Sequence, residues 1–529
     1  MFYNSSDNFE YNDCISRGAC SVSPNITSMQ EIIFILLRQI SYYVLNLKKL
    51  GIENKDIIYE IIFELAFIDS IRDLSETKVL EFFSKQYTNL VKMRKQYLKL
   101  CNQNNTPCKD LKNLIKFSAK TNISSILRRG DKEFLHKYRK LNFNEKYFAE
   151  ILSVVIKSAS INWINLYEYG VYDELTSDCI LNALNIFNLT KVQSHKIKTY
   201  IDKLAKFDVE LLKQIDELQT KNFGQIELTS VNTSTSPNKA IMVSGSNLYD
   251  LKTLLDDLKE DIDVYTNGNL LIAHAFPYFK KYKNLKGHFG SGVFNTILDF
   301  ATFPGAILLT RNETQNIEYL YRGRLFTTDK LPAKGVVKIE NNDFKPLILS
   351  SIQAKGFAKG QNRPDEIIGF DENQLNTFLD NITNKNPKKI YIIGTSNLTI
   401  SKIDYFKKFF SLISDDDYAI SFSYNPEKEN VIHINLGNNC ALLYTALQTI
   451  LKKISIHSNE LVFFMTKCDV NSLSNIINLK NNGAKNIFLS DCSPLVINPA
   501  VVKAFTKLYN IREITTPKED LEKLKKEEF

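Results

Sequence analysis

Residues 240–268 read AIMVSGSNLYDLKTLLDDLKEDIDVYTNG, and residues 303–312 read FPGAILLTRN. A short apolar run, Ala240 to Ser244, stops at Gly245. An amphipathic helix is expected from about Asn247 to Lys259, where Leu recurs at helical spacing. A second run, Asp263 to Thr266, ends at Asn267-Gly268, and a third, Gly305 to Thr310, ends at Arg311-Asn312. Strand, helix, strand with glycine or asparagine at each turn is the pattern of a parallel sheet covered by helices. Ligands in such sheets sit beyond the carboxyl ends of the strands. The first places to look for chemistry are therefore Ser246, Asn269 and Glu313.

Upstream the period changes. Ile33, Leu36, Leu37, Ile40, Val44 and Leu47 recur at helical spacing up to a stop at Gly51, and Ile197, Ile201, Leu204, Leu211 and Ile215 repeat the pattern. Residues 29–220 are read as a helical bundle domain, behind an irregular segment 1–28. Trp163, in INWINLYEYG, is expected in that bundle's core. Ser, Thr, Asn and Pro concentrate in 221–238, read as a linker. A first Rossmann-like α/β domain is expected over 239–370, with a further strand at Gly335–Ile339, and a second over 371–529. Strands of the second are expected at Lys389–Ile393, Tyr418–Ser423, Val431–Leu436, Leu461–Met465 and Asn486–Ser490.

The chain has 529 residues, 44% hydrophobic and 24% charged, as in ordinary globular proteins. Its net charge of +8 is spread over scattered lysines, without a basic–aromatic stripe, so no nucleic-acid partner is expected. The polar, acidic start MFYNSSDNFEYND does not read as a signal peptide, and the longest apolar block, Ile32 to Leu37, ends at Arg38-Gln39. A cytoplasmic protein without membrane contact is expected. Its eight cysteines are too sparse for a disulfide scaffold, and Cys101 and Cys108, flanking NQNNTP, match no metal spacing.

The stretch resembles the hybrid-cluster proteins, also called prismane proteins or hydroxylamine reductases. Members carry a relative of SGSNLYDL with His in place of Ser246, YTxGExLxAHxxP where this chain has YTNGNLLIAHAFP, and FPGAILxTxNC where it has FPGAILLTRNE. The resemblance covers essentially the whole chain. It implies a helical bundle followed by two Rossmann-like domains, with a hybrid iron–sulfur–oxygen cluster between those domains. The implied activity is reduction of hydroxylamine or nitric oxide, by electrons that a reductase partner delivers through an N-terminal iron–sulfur cluster.

The matched ligand positions differ. The family's His falls on Ser246, its first Glu on Asn269 and its first Cys on Glu313. The GGCDG Cys falls on Ser396, the ACGKY Cys on Tyr424, the GQCND Cys on Cys440, and the second Glu on Asp469. The first six come at or just after expected strand ends, so the resemblance implies that the old site's geometry is kept. The four N-terminal cluster cysteines fall on Tyr3, Ser6, Cys14 and Cys20. Iron in such clusters wants thiolate, with imidazole or carboxylate as occasional replacements. Ser246, Asn269 and Ser396 are neutral and weakly ligating, and Tyr424 needs a lowered pKa before it can bind ferric iron.

The leading expectation is a divergent hybrid-cluster protein that builds neither cluster and keeps the fold for a binding or structural role, as a homo-oligomer or with a partner the sequence does not name. A second is an active hydroxylamine or nitric oxide reductase with both clusters. A third is a mononuclear Zn or Fe protein using Glu313, Cys440 and Asp469, with His274 or His288 close to the site in sequence and Cys468 beside it. His274, in the shared AHAFP, reads as a satisfied structural residue, and His136, His195, His433 and His457 show no paired spacing. GHFGSG (287–292) has the glycines of a nucleotide loop but is read as following a Lys-rich helix rather than a strand. GxSxG, HExxH and GxxxxGK[ST] are absent from the sequence.

Overall fold

The computed structural model describes residues 24–68, 76–117, 122–136, 141, 143–189, 194–290, 296–311, 323–330, 332, 335–385, 387–394, 400–490 and 499–525. Contacts divide the chain into two compact units. One is Met1–Leu211 with Cys468–Asn481 and Asp491–Ile511; the other is Leu212–Lys467 with Asn482–Ser490 and Arg512–Phe529.

The first unit is helical. Its helices are Pro24–Lys49, Lys55–Phe67, Glu76–Gln103, Ile123–His136, Phe143–Glu168, Glu174–Ile186 and most of Ser194–Phe223. Every residue singled out above for its helical spacing is buried. Each such Leu, Ile or Val side chain stabilises the bundle by ~1.5–3 kcal/mol relative to exposure. Gly51 ends the first helix with φ +84°, a conformation that costs an L side chain but not glycine. Trp163 is fully buried, stacks on Tyr167 and donates to Asp173 O at 2.8 Å. Two late helices, Val470–Asn481 and Pro499–Tyr509, pack on Phe143–Glu168 in this same unit. Cys101 and Cys108 form a disulfide across their polar loop, a pairing that their spacing did not suggest.

The second unit carries the sheets. Strand β1 (Thr229–Val231) lies inside the Ser/Thr/Asn-rich stretch 221–238. Strands β2 (Ala240–Gly245), β3 (Asp263–Asn267), β4 (Leu285–His288), β5 (Ala306–Thr310), β6 (Leu325–Thr327) and β7 (Val337–Lys338) form one parallel sheet in the order β4-β3-β2-β5-β6-β7. Strand β8 (Glu366–Ile368) pairs antiparallel with β1. Strands β9 (Ile390–Gly394), β10 (Tyr418–Ser421), β11 (Val431–His433), β12 (Leu461–Met465), β13 (Asn486–Leu489) and β14 (Arg512–Glu513) form a second parallel sheet in the order β11-β10-β9-β12-β13-β14. Both orders are doubly wound, with the direction of progress reversing between β2 and β5 and between β9 and β12. The inner strands β2, β3 and β5 are buried on both faces, which is why they read as continuous apolar runs.

One sequence reading is corrected. GHFGSG does not follow a helix: Gly287 and His288 are the last residues of β4, and a 3₁₀ turn, Pro277–Lys281, lies further upstream. Of the lysines that gave 280–286 its helical look, Lys280 and Lys281 end the 3₁₀ turn and Lys286 lies on β4, an edge strand.

Candidate functional site

The carboxyl ends of β2, β3 and β5 converge. Gly245 closes β2 at φ +129°, and a Cβ there would lie 1.8 Å from Thr310 O. Only glycine fits so close an approach of backbone to backbone. Ser246 N–H then donates to Thr310 O at 2.9 Å, and Asn247 caps the helix Leu248–Asp257 by accepting from Tyr249 and Asp250 N–H. Gly268, after β3, turns at φ +65° against Gly245, so the loops bearing Ser246 and Asn269 are neighbours.

Asn269 meets the second sheet. Beyond β11, Gly437 (φ +58°) and Asn438 (φ +60°) make a tight left-handed turn. Gly437 is pressed against the Asn269 carbonyl and Ile272, and Asn438 Nδ2 donates to Asn269 Oδ1 at 3.1 Å. Asn439 follows as the cap of the helix Cys440–Lys453, and its Nδ2 donates to Gln219 Oε1 at 2.9 Å. Cys440 is that helix's first residue, partly exposed and outside any disulfide. Three matched positions, Ser246, Asn269 and Cys440, thus belong to one set of adjoining loops.

The other described positions are engaged elsewhere. The Tyr424 ring stacks on Phe410, centroids 6.0 Å apart, and packs on the core of the second sheet. Asp469 caps the helix Val470–Asn481, its Oδ1 accepting from Ser472 N–H at 2.8 Å. Cys468 is buried and disulfide-bonded. Glu313, Ser396, Tyr3, Ser6, Cys14 and Cys20 lie outside the described residues.

His274 and His288 face one hydroxyl. Thr266 Oγ1 lies 3.0 Å from His274 Nε2 and 2.9 Å from His288 Nδ1. Burial pulls both imidazoles far below the ordinary value, His274 to about 4 and His288 to about 3, the latter also opposed by a charge on His274. Both are neutral near pH 7. Next to them Ser244 Oγ donates to Asn267 Oδ1 at 2.6 Å, and Asn267 Nδ2 donates to Phe289 O and Asp299 Oδ2. Asp250, partly exposed, accepts from Thr328 Oγ1 at 2.6 Å, and desolvation pushes its carboxyl up to about 7. Sequence reasoning did not single out Asn438, Asn267 or Thr266 as site residues; the turn pairs Asn267-Gly268 and Gly437-Asn438 were the signals that could have pointed to two of them.

Among the described residues, no three His, Cys, Asp or Glu side chains are grouped as metal ligands are. The model of the prismane/CO dehydrogenase family matches residues 10–420. This chain belongs to that family. Hydroxylamine reductase of Thermosipho melanesiensis is 24% identical over 552 residues, covering 97% of each chain. The enzymes of that name from Syntrophobacter fumaroxidans and Microcystis aeruginosa are each 23% identical, covering 96% of this chain and 96% and 97% of their own. Prismane proteins hold iron–sulfur and hybrid clusters. At the described positions that the sequence resemblance matches to cluster ligands, this chain has a hydroxyl (Ser246), an amide (Asn269), a core-packed phenol (Tyr424), a thiol (Cys440) and a helix-capping carboxylate (Asp469), a set with one sulfur donor where such clusters take mainly thiolate. Among the described residues no helix is long and apolar enough to cross a membrane.

Proposed function

We propose that this chain is a divergent hybrid-cluster protein that assembles neither the N-terminal cluster nor the hybrid cluster, and that it keeps the prismane scaffold for a binding or structural role. One observation carries the reading. Asn269 stands at the position of the family's first Glu ligand, and its side-chain oxygen accepts a hydrogen from Asn438, in the loop that leads to Cys440. A neutral amide bonded to its neighbour does not supply the anionic donor that iron requires. Asp469 supports the same reading, since its carboxylate is held by the backbone of the helix it starts.

The competing reading, an active reductase, draws support from the names of the relatives, all hydroxylamine reductases. The single-metal reading on Glu313, Cys440 and Asp469 has less support, since Asp469 is already committed to a cap. Anaerobic reconstitution with ferrous iron and sulfide, followed by an assay for hydroxylamine-dependent oxidation of a reduced viologen, tests the proposal. We expect no turnover and no cluster absorption. Turnover that depends on the added iron and sulfide would support the active reductase.

A further inference from the structure

In the helical unit, Asp208 is 1% exposed and belongs to the helix Ser194–Phe223. Ser158 and Asn162, one turn apart on Phe143–Glu168, face it, and Asn471 and Ser474 approach from Val470–Asn481. Ser158, Asn162 and Ser474 are as deeply buried as Asp208. Asn162 Nδ2 donates to Asp208 Oδ1 at 2.6 Å. Ser158 Oγ lies within hydrogen-bonding distance of both Asp208 Oδ2 and Asn471 Oδ1, the latter at 2.8 Å. Ser474 Oγ also faces the carboxyl.

These contacts are one hydrogen short. A serine hydroxyl has a single hydrogen, while an ionised carboxylate and an amide oxygen are both acceptors only. A proton on Asp208 Oδ2 closes the account. The acid O–H donates to Ser158 Oγ, the Ser158 hydrogen goes to Asn471 Oδ1, and Asn162 serves Asp208 Oδ1. Turning the Asn471 amide end for end supplies a hydrogen too, but it leaves a full negative charge buried among neutral groups. Ser158, Asn162 and Ser474 are the groups that act on the carboxyl, and none of them carries a charge. On Pro499–Tyr509, which packs on the same helix, Lys507 lies over the Tyr147 ring and Tyr509 responds to Asp202.

We propose that Asp208 is a proton-binding site, neutral at physiological pH, and that its proton ties the helix Val470–Asn481 through Ser158 and Asn471 to the helical unit. Burial pushes the Asp208 carboxyl upward, in the same direction. Because the folded unit then holds a proton that the unfolded chain gives up near pH ~4, the contribution is full in acid and is lost as pH rises through the raised value. It also holds in place the helix that Asp469 caps.

Hydrogen exchange of the full chain, read by mass spectrometry on peptides covering 470–481 from pH 5 to 9 and corrected for intrinsic rates, is the test. In the wild type, opening is expected to grow by up to about tenfold per pH unit below the raised pKa and then to level off. Asp208→Asn offers Ser158 and Asn162 the same hydrogens as the protonated acid, so it is expected to keep the protection and lose that slope. Infrared spectra at pH 7 are expected to show less protonated-carboxyl absorption in D208N than in the wild type. An equal slope in the two proteins, or equal absorption, overturns the proposal. Should D208N not fold, a wild type whose protection does not change from pH 5 to 9 overturns it as well.

Discussion

Asn438 Nδ2 donates to Asn269 Oδ1 at 3.1 Å, and this bond joins the loop after β3 in one sheet to the loop after β11 in the other. On the proposed reading Asn269 corresponds to a ligand position of the family, and Asn438 is two residues from Cys440, which corresponds to another. That reading puts a contact between two amides where the family has a carboxylate. Asn269→Ala is expected to remove about 1 kcal/mol of stability, the usual net value of such a bond, as a small fall in the denaturant midpoint. Asn269→Glu, which restores the family's residue, is expected to bring in no iron. Iron bound by the N269E protein would show that the remaining donors were sufficient.

Gly245 is expected to tolerate no side chain. Gly245→Ala meets the Thr310 carbonyl at 1.8 Å in a left-handed conformation. Strain of this kind costs ~1–3 kcal/mol, and the clash adds to it. A loss of more than ~3 kcal/mol in chemical denaturation, or no soluble protein, is expected.

Removing the Asp469 carboxylate tests its role as a cap. Asp469→Ala is expected to cost about 1 kcal/mol, within the usual range for a lost N-cap, and Asp469→Asn or Asp469→Ser to recover most of it. A metal ligand would behave differently, with loss of bound metal in all three variants and no rescue by serine. Thermal midpoints and metal content, measured on the same preparations, separate the two.

The histidine pair predicts an acid limit. His274 and His288 are held neutral by burial, with values lowered to about 4 and about 3. The unfolded chain takes up these protons near pH ~6.5. Stability from the pair is therefore present above that pH and is lost as pH falls toward the lowered values. His288→Asn is expected to flatten the fall in midpoint between pH 6.5 and 4, measured against the wild type in the same buffers. Identical slopes would mean that the His288 imidazole is not held neutral by the fold.

Strands β2, β3, β5 and β12 were legible because buried parallel strands are continuous apolar runs ended by Gly, Asn or a polar turn. Two of the four edge strands of the parallel sheets, β4 and β14, were not. Leu285–His288 carries lysine and glycine, and Arg512–Glu513 is two charged residues, so neither has the signal of a core. Positions at the ends of β2 and β3 could be named from sequence because a strand end fixes the place of the next residue. What those residues touch could not. Asn269 and Asn438 are 169 positions apart, Asp208 and Ser158 are 50 apart, and only tertiary packing brings each pair together. The disulfide of Cys101 and Cys108 was missed for a local reason: a polar loop spanning a sequence separation of 7 fits a bridge or two free thiols equally well.

The account rests on the chemistry of the donors, so the most direct test is elemental. Protein purified without exposure to oxygen should be measured for iron, zinc and acid-labile sulfide per chain, with its visible spectrum. Colourless protein, with no stoichiometric metal and no sulfide, is the predicted result. Brown protein with several irons and sulfides per chain would contradict it.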